Sequence, residues 1–399
     1  MAVSPQARFL DRHTPPHIVT LTMMAGLASL SMNIFLPSLP GMARYFDAPY
    51  ATLQLSVALY LALSAVLQVL IGPLSDRFGR RRVMLVALAL FLLATLGTLV
   101  APSAEIFLVC RMAQAVVAAG TVLGRAVVRD MFEDARAASM LGYVTMGMSL
   151  MPMIGPAVGG LLDQAYGWQA NFACLLGLGA AVSALVYFDQ GETADIRQVS
   201  LTAQFRLYPQ LLVSPVFWGY CLAATFTSGC YYAFLGGAPF VGAEVFGLTA
   251  SQLGLFFLLM ALGYTGGNFL SGRFSARMGI MRMVIAGTGL TTVGLTLLLV
   301  LALMGLSNVT VFFGLLMTVG IGNGLCLPNA NAGILSVKPE IAGTASGLSS
   351  AIAIGGGAAL AALAGAVLHP GSSQLPLVLM MLGSSLASNL AVLWLARRP

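Results

Sequence analysis

The sequence predicts an all-α integral membrane protein of twelve transmembrane helices in two pseudo-symmetric six-helix bundles. Three observations predict it. Only 8% of the 399 residues are charged and 58% are hydrophobic, against about 25% charged in a soluble domain. Apolar runs long enough to cross a bilayer recur along the whole chain. Short stretches of the first half also return in the second at an offset of 200 residues. The runs are continuously apolar rather than alternating, which excludes a transmembrane β-barrel.

The runs fall at 18–40, 51–71, 83–101, 105–127, 138–162, 168–188, 214–240, 250–271, 282–304, 308–335, 341–367 and 375–395. The first has no small-residue cleavage site and is too long for a signal-peptide core, so it is expected to remain as an anchor. Threaded with the N-terminus inside, the nineteen Lys and Arg all fall on one side except Arg44, Arg111 and Arg125. This positive-inside asymmetry predicts a multi-pass protein of a bacterial cytoplasmic (inner) membrane with both termini cytoplasmic. The formal charge of +6 therefore reports topology, not a nucleic-acid partner. The five cysteines lie inside runs without a CxxC pair and read as small buried hydrophobes.

The second run carries Ser56, Tyr60, Ser64 and Gln68 every four residues. Such a polar stripe is expected to face a cavity or another helix rather than lipid. Next, "GPLSDRFGRRR" sets Gly72 and Gly79 around Asp76 and Arg77, followed by Arg80, Arg81 and Arg82. The glycines are expected to bracket a tight loop, allowing positive φ and close helix approach. Two readings of the charges stand: basic residues that only hold a loop in the cytoplasm, or a conformational latch. In the latch, Asp76 accepts charge-assisted hydrogen bonds and Asp130 pairs with the Arg77/Arg80 group.

The fourth run presents Arg111 and Gln114. In the fifth, Gly147, Gly155, Pro156, Gly159 and Gly160 give a smooth, bendable face for close packing, with Gly347, Gly355, Gly356 and Gly357 in the eleventh. Residues 189–212 form the longest polar interruption, separating an N-terminal bundle (1–188) from a C-terminal one (213–399). The seventh run offers Thr225, Ser228, Tyr231 and Tyr232, the eighth Tyr264 and Asn268, and the tenth Asn323, Asn329 and Asn331. Met and aromatic residues such as Met24, Met32, Phe35, Met146 and Phe234 accompany them. Together they predict a mainly apolar pocket that repacks around varied ligands. Its candidate substrate-binding residues are Asn33, Tyr60, Arg111, Gln114, Tyr231, Tyr232, Asn268 and Asn329.

The internal repeat is specific. "GPLSDRFG" at Gly72 answers "GRFSARMG" at Gly272, and "GMSLMPMIGPAVGG" at Gly147 answers "GLSSAIAIGGGAAL" at Gly347. Ala276 stands where the first copy has Asp76, so any latch is one-sided. A duplicated six-span unit suits a transporter whose site lies between halves that rock against each other.

These residues carry a family resemblance. "GPLSDRFGRRR" resembles the loop motif between spans 2 and 3 of the major facilitator superfamily, and "RMAQAVVAAG" its fourth-span motif. "GMSLMPMIGPAVGG" resembles the fifth-span motif of its drug:proton antiporters. "IFLPSLPGMA", "YYAFLGGAPFVGAEVFGLT" and "LPNANAGIL" are similar to the Bcr/CflA drug-resistance exporters. The resemblance implies the major facilitator fold and secondary active export of small amphipathic drugs and antibiotics, by proton antiport and alternating access. It further implies that the charged network closes the cytoplasmic side in the outward-facing state, and that the fifth-span motif marks an exporter.

The sequence departs from that subfamily at one position: Asn33 in "SMNIFLP" stands where relatives usually carry an Asp. None of the thirteen acidic residues is mid-span. At 1.5 Å per residue, Arg111 lies roughly 9 Å below the outer end of its run and Asn33 roughly 10 Å below the end of its own. The matched depths predict that they meet, with Asn33 offering a hydrogen bond but no neutralising charge. The cavity then favours neutral, zwitterionic or anionic substrates. The other reading of Arg111 is a structural clamp on backbone carbonyls of span 1. Coupling would use Asp47, Glu105, the Asp76–Asp130 network or a proton on the substrate.

The alternative function is a dedicated transporter of a specific metabolite or organic anion, with coupling not dependent on a span-1 carboxylate. A non-transporting receptor fits poorly with both motifs being retained. An enzyme is not expected: His13, His17 and His369 are the only histidines, and no metal cluster or nucleophile–base pair is present in the sequence pattern. The expected partners are a small amphipathic substrate, protons and the lipid bilayer, for a monomer without nucleic acid, metal or cofactor.

Overall fold

The structure, a computed structural model, describes residues 8–132, 134–193, 208–338 and 341–397. Every regular element among them is helical. The long helices are α1 (Ile18–Asn33), α2 (Tyr50–Phe78), α3 (Arg80–Leu99), α4 (Ala104–Met131), α5 (Asp134–Tyr166) and α6 (Gln169–Asp189). After a short helix at Tyr208–Leu212 follow α7 (Pro215–Phe240), α8 (Ala250–Met278), α9 (Ile280–Leu303), α10 (Val309–Val337), α11 (Ala342–Val367) and α12 (Leu375–Ala396). Among the described residues, 10 helices are long and apolar enough to cross a membrane. The remaining two, α5 and α7, take the fifth and seventh places of the expected order.

Several helices overrun the apolar runs at one end. α2 continues through the polar Ser75–Phe78 and stops only at Gly79, whose φ of 93° no residue with a Cβ adopts without strain. The repeat is structural as well as sequential: α2 and α8 are each 29 residues long, and Gly279 ends α8 at φ 85°. Outward-facing side chains such as Leu93, Val109, Phe269, Val293 and Leu390 are 66–73% exposed. An apolar surface of that breadth belongs against lipid tails.

Aromatic clusters fill the interior. Phe35, Phe107, Trp168 and Phe172 meet at ring-centroid distances of 5.5–5.9 Å. In the second half Phe234 packs on Phe257, and Phe256 stacks on Phe313. The buried Asp189 at the end of α6 accepts from the backbone of Leu10 and His17 and from the Thr20 hydroxyl, clasping the N-terminal arm. Polar links join the first six helices to the last six at the end away from the arginine-rich turns. There Arg44 pairs with Glu244 at 3.3 Å, Tyr50 donates to the Gly236 carbonyl at 2.7 Å, and Gln54 donates to the Ala361 carbonyl.

The fifth-run glycines sit in these seams. A Cβ at Gly159 would strike the Ile34 carbonyl, and one at Gly160 the Ala250 carbonyl at the start of α8. Gly155 faces Leu30 and Asn33, while the Pro156 carbonyl lies against Gly254. Gly147 falls in a stretch of α5 whose packing lies outside the described residues. The eleventh-run copy differs: Gly347 and Gly355 face open space, whereas Gly356 and Gly357 meet Thr225 and Tyr232.

Candidate functional site

Between the halves lies a cavity of two joined lobes, about 350 and 400 Å³. Ser29, Met32, Arg125, Ser228, Tyr232 and Asn331 line both lobes and so form their neck. One lobe continues past Tyr60, Ser64 and Gln68 toward the arginine-rich end. The other is walled by Asn33, Tyr231, Phe234, Phe257, Met260 and Tyr264. The polar stripe of α2 thus faces the cavity, apart from Ser56, which is buried without a hydrogen-bond partner. Of the Met and aromatic residues expected there, Met32 and Phe234 line it, while Met24 and Phe35 are core. Met146 lies outside the residues whose side chains are described.

Arg111 is not in the cavity, which corrects the expected meeting with Asn33. It is 0% exposed. Its guanidinium donates to the Ser31 carbonyl at 2.8 Å, the Ser31 hydroxyl at 3.2 Å and Gln114 Oε1 at 2.8 Å. The rings of Tyr60 and Phe35 cover it at 4.1 and 4.5 Å. Tyr60 therefore forms the wall between this cation and the cavity. Gln114 is equally buried and hands the network on to Thr95 at 2.8 Å. Asn33 instead donates to the Ser29 carbonyl at 2.7 Å and accepts from the Tyr231 hydroxyl at 3.4 Å. The depths agree and the faces do not: Ser31 and Asn33 are two residues apart, about 200° around a helix.

Asn268 and Asn329 also stand apart from the cavity walls. Asn329 donates to the Ser271 hydroxyl and the Leu325 carbonyl, and Asn268 to the Tyr264 carbonyl. Both lie in the α8–α10 seam, where Gly267 and Gly324 bring the backbones together and polar groups satisfy one another.

The latch residues gather on one arginine. Arg80 bonds Asp76 at 2.5 Å and Asp130 at 3.1 Å, and touches the Ser75 hydroxyl. Arg77 takes no part: its guanidinium lies 5.4 Å from the Phe78 ring. Arg81 donates to the Tyr187 carbonyl at 2.9 Å and lies over its ring. Gly72 does not bracket a loop. It is inside α2 with open space around it, and the turn is the single residue Gly79.

Two residues, Glu192 and Thr193, escaped sequence reasoning here. Glu192 accepts from the backbone N–H groups of Arg80 (2.8 Å) and Arg81 (3.2 Å), capping the exposed start of α3. A Cβ on Gly79 would meet its carboxylate. Thr193 reaches Asp130 at 3.3 Å. No local spacing signals these contacts, which span more than a hundred residues for Glu192. Arg125 falls within the fourth apolar run, but its neighbours in sequence give no sign of which face is hollow.

Comparison with known proteins agrees with this geometry. The chain matches the Major Facilitator Superfamily over residues 21–362 and 244–399. It is similar to a chloramphenicol resistance protein of Pseudomonas aeruginosa, 32% identical over 80% of this chain and 76% of the relative. It resembles multidrug resistance protein D of Escherichia coli strain K12, 26% identical over 92% of each. A bicyclomycin resistance protein homolog of Haemophilus influenzae is 27% identical over 87% of this chain and 88% of its own. Among solved structures, a bacterial homolog of the human lysosomal transporter Spinster, inward-facing and occupied, superimposes with TM-score 0.75. It covers 95% of each chain at 16% identity, a likeness of fold alone. The chain therefore belongs to the major facilitator superfamily, in its drug:proton antiporter group.

Proposed function

We propose that this protein exports small amphipathic, drug-like compounds across a bacterial cytoplasmic membrane by alternating access driven by proton antiport. The observation that carries the reading is the cavity. It is mainly apolar, with Met and aromatic walls and scattered hydroxyl and amide groups, between halves that touch at one end. Such a wall accommodates varied apolar ligands. The relatives named for chloramphenicol, bicyclomycin and multidrug resistance support the substrate class.

In this reading the arginine-rich end is cytoplasmic, both termini lie inside, and the structure is an inward-facing state of a monomer. Segments 1–188 and 213–399 rock as rigid halves. The intervening stretch is tethered at its start, because Asp189 and Glu192 bind the first half. Among the described residues no acid lines the cavity, so coupling does not pass through a span-1 carboxylate. The Asp76–Arg80–Asp130 cluster holds the best-placed carboxylates, since Asp47 and Glu105 are exposed at the far rim. That same lack of an acid supports a second reading, a dedicated carrier of an organic anion. A susceptibility panel in a pump-deleted host separates them. A multidrug exporter raises the inhibitory concentration of several unrelated compounds; protection against none contradicts this proposal.

A further inference from the structure

Arg125 is the one charged side chain on the walls of either lobe, among the described residues. It projects from α4 into the neck, exposed to the cavity, and forms no ion pair or hydrogen bond with another described residue. A guanidinium stays protonated at any physiological pH. A cation at membrane depth is costly unless it meets a partner, so one facing a cavity marks a ligand or ion path. Arg111 cannot share this role, because it is buried away from the cavity beneath Tyr60 and Phe35, and Ser31 and Gln114 accept from both of its terminal nitrogens.

Across the neck stand Asn331 of α10 and Tyr232 of α7, both lining both lobes. Neither the Asn331 amide nor the Tyr232 hydroxyl bonds another described residue, so each has a free donor. The neck thus presents one fixed positive charge from the first half and two neutral donors from the second. That set matches an anionic oxygen pair, as in a carboxylate, better than a cation or a purely apolar group.

We propose that Arg125 is the charge-reading residue of the cavity: an acidic group on the substrate lodges in the neck between Arg125 and the Asn331 and Tyr232 side chains. This rests on the exporter reading and narrows it to compounds with an acidic group on an apolar body. Held from both sides, the acidic group also links the two halves while the substrate is bound. A lipophilic cation meets only repulsion there.

The test uses chloramphenicol and its hemisuccinate, one scaffold without and with a carboxylate, and tetraphenylphosphonium as the cation. Uptake of each is measured in proteoliposomes holding the full chain. Wild type is expected to move the hemisuccinate in preference to tetraphenylphosphonium. Arg125→Gln is expected to lower the ratio of hemisuccinate to chloramphenicol transport by about tenfold or more, a difference of about 1.4 kcal/mol. Arg125→Lys keeps the charge and restores much of the ratio, which a merely structural arginine would not do. An unchanged ratio in Arg125→Gln overturns the inference, as does an equal loss for both probes in both variants. If wild type moves none of the three compounds, the exporter reading itself fails and this inference with it.

Discussion

Two arginines in one helix, Arg111 and Arg125, face opposite environments, and their substitutions are expected to act differently. Arg111→Met leaves the Ser31 carbonyl and Gln114 without a donor and removes a cation from between two rings. A loss of about 2 kcal/mol or more is expected, read as a lower melting temperature of the purified protein. Unchanged melting with altered substrate preference would instead place Arg111 in the binding site. Asn33 does face the cavity, so Asn33→Asp puts a carboxylate on its wall. Ethidium resistance should then rise relative to chloramphenicol resistance; an unchanged spectrum counts against a cavity read by charge. The sequence revealed that Arg111 needs partners and that its depth equals that of Asn33. It could not reveal azimuth, because Ser31 and Asn33 differ only in the face of α1 they occupy.

At the level of elements, the α2–α3 turn concentrates the charged chemistry. Gly79→Ala forces a Cβ onto the Glu192 carboxylate at a backbone conformation only glycine tolerates, costing about 1–3 kcal/mol. Thermal unfolding measures the cost. Asp76→Asn leaves Arg80 with Asp130 alone and is expected to lower transport while the protein still reaches the membrane. Normal flux in that variant sinks the latch. The charged cluster itself was legible in outline: two acids, an arginine and a glycine-ended helix. Which arginine acts was not, since Arg77 and Arg80 look equivalent until Gly79 turns the chain and brings Arg80 back over Asp76. Helix positions were legible almost throughout, because lipid solvation requires long apolar runs. Helix ends were less so, because α2 carries its polar tail beyond the apolar stretch.

For the whole molecule, alternating access requires the seam now closed at Arg44–Glu244 and Tyr50–Gly236 to open in turn. The glycine contacts Gly160–Ala250 and Pro156–Gly254 let α5 and α8 approach closely there. A Gly160→Val variant wedges that seam, so spin labels at positions 44 and 244 should report a longer mean distance than in the parent; an unchanged distance refutes the seam's role. The duplicated sequence made two related halves legible, but only their contacts show which end is shut. The central claim is that this cavity exports substrate against an inward flow of protons. Its most direct measurement is flux of anionic, neutral and cationic compounds in proteoliposomes, with and without an imposed pH gradient. Proton-driven export predicts substrate accumulation that rises with the gradient, strongest for the compounds bearing an acidic group. Accumulation indifferent to the gradient would contradict proton antiport.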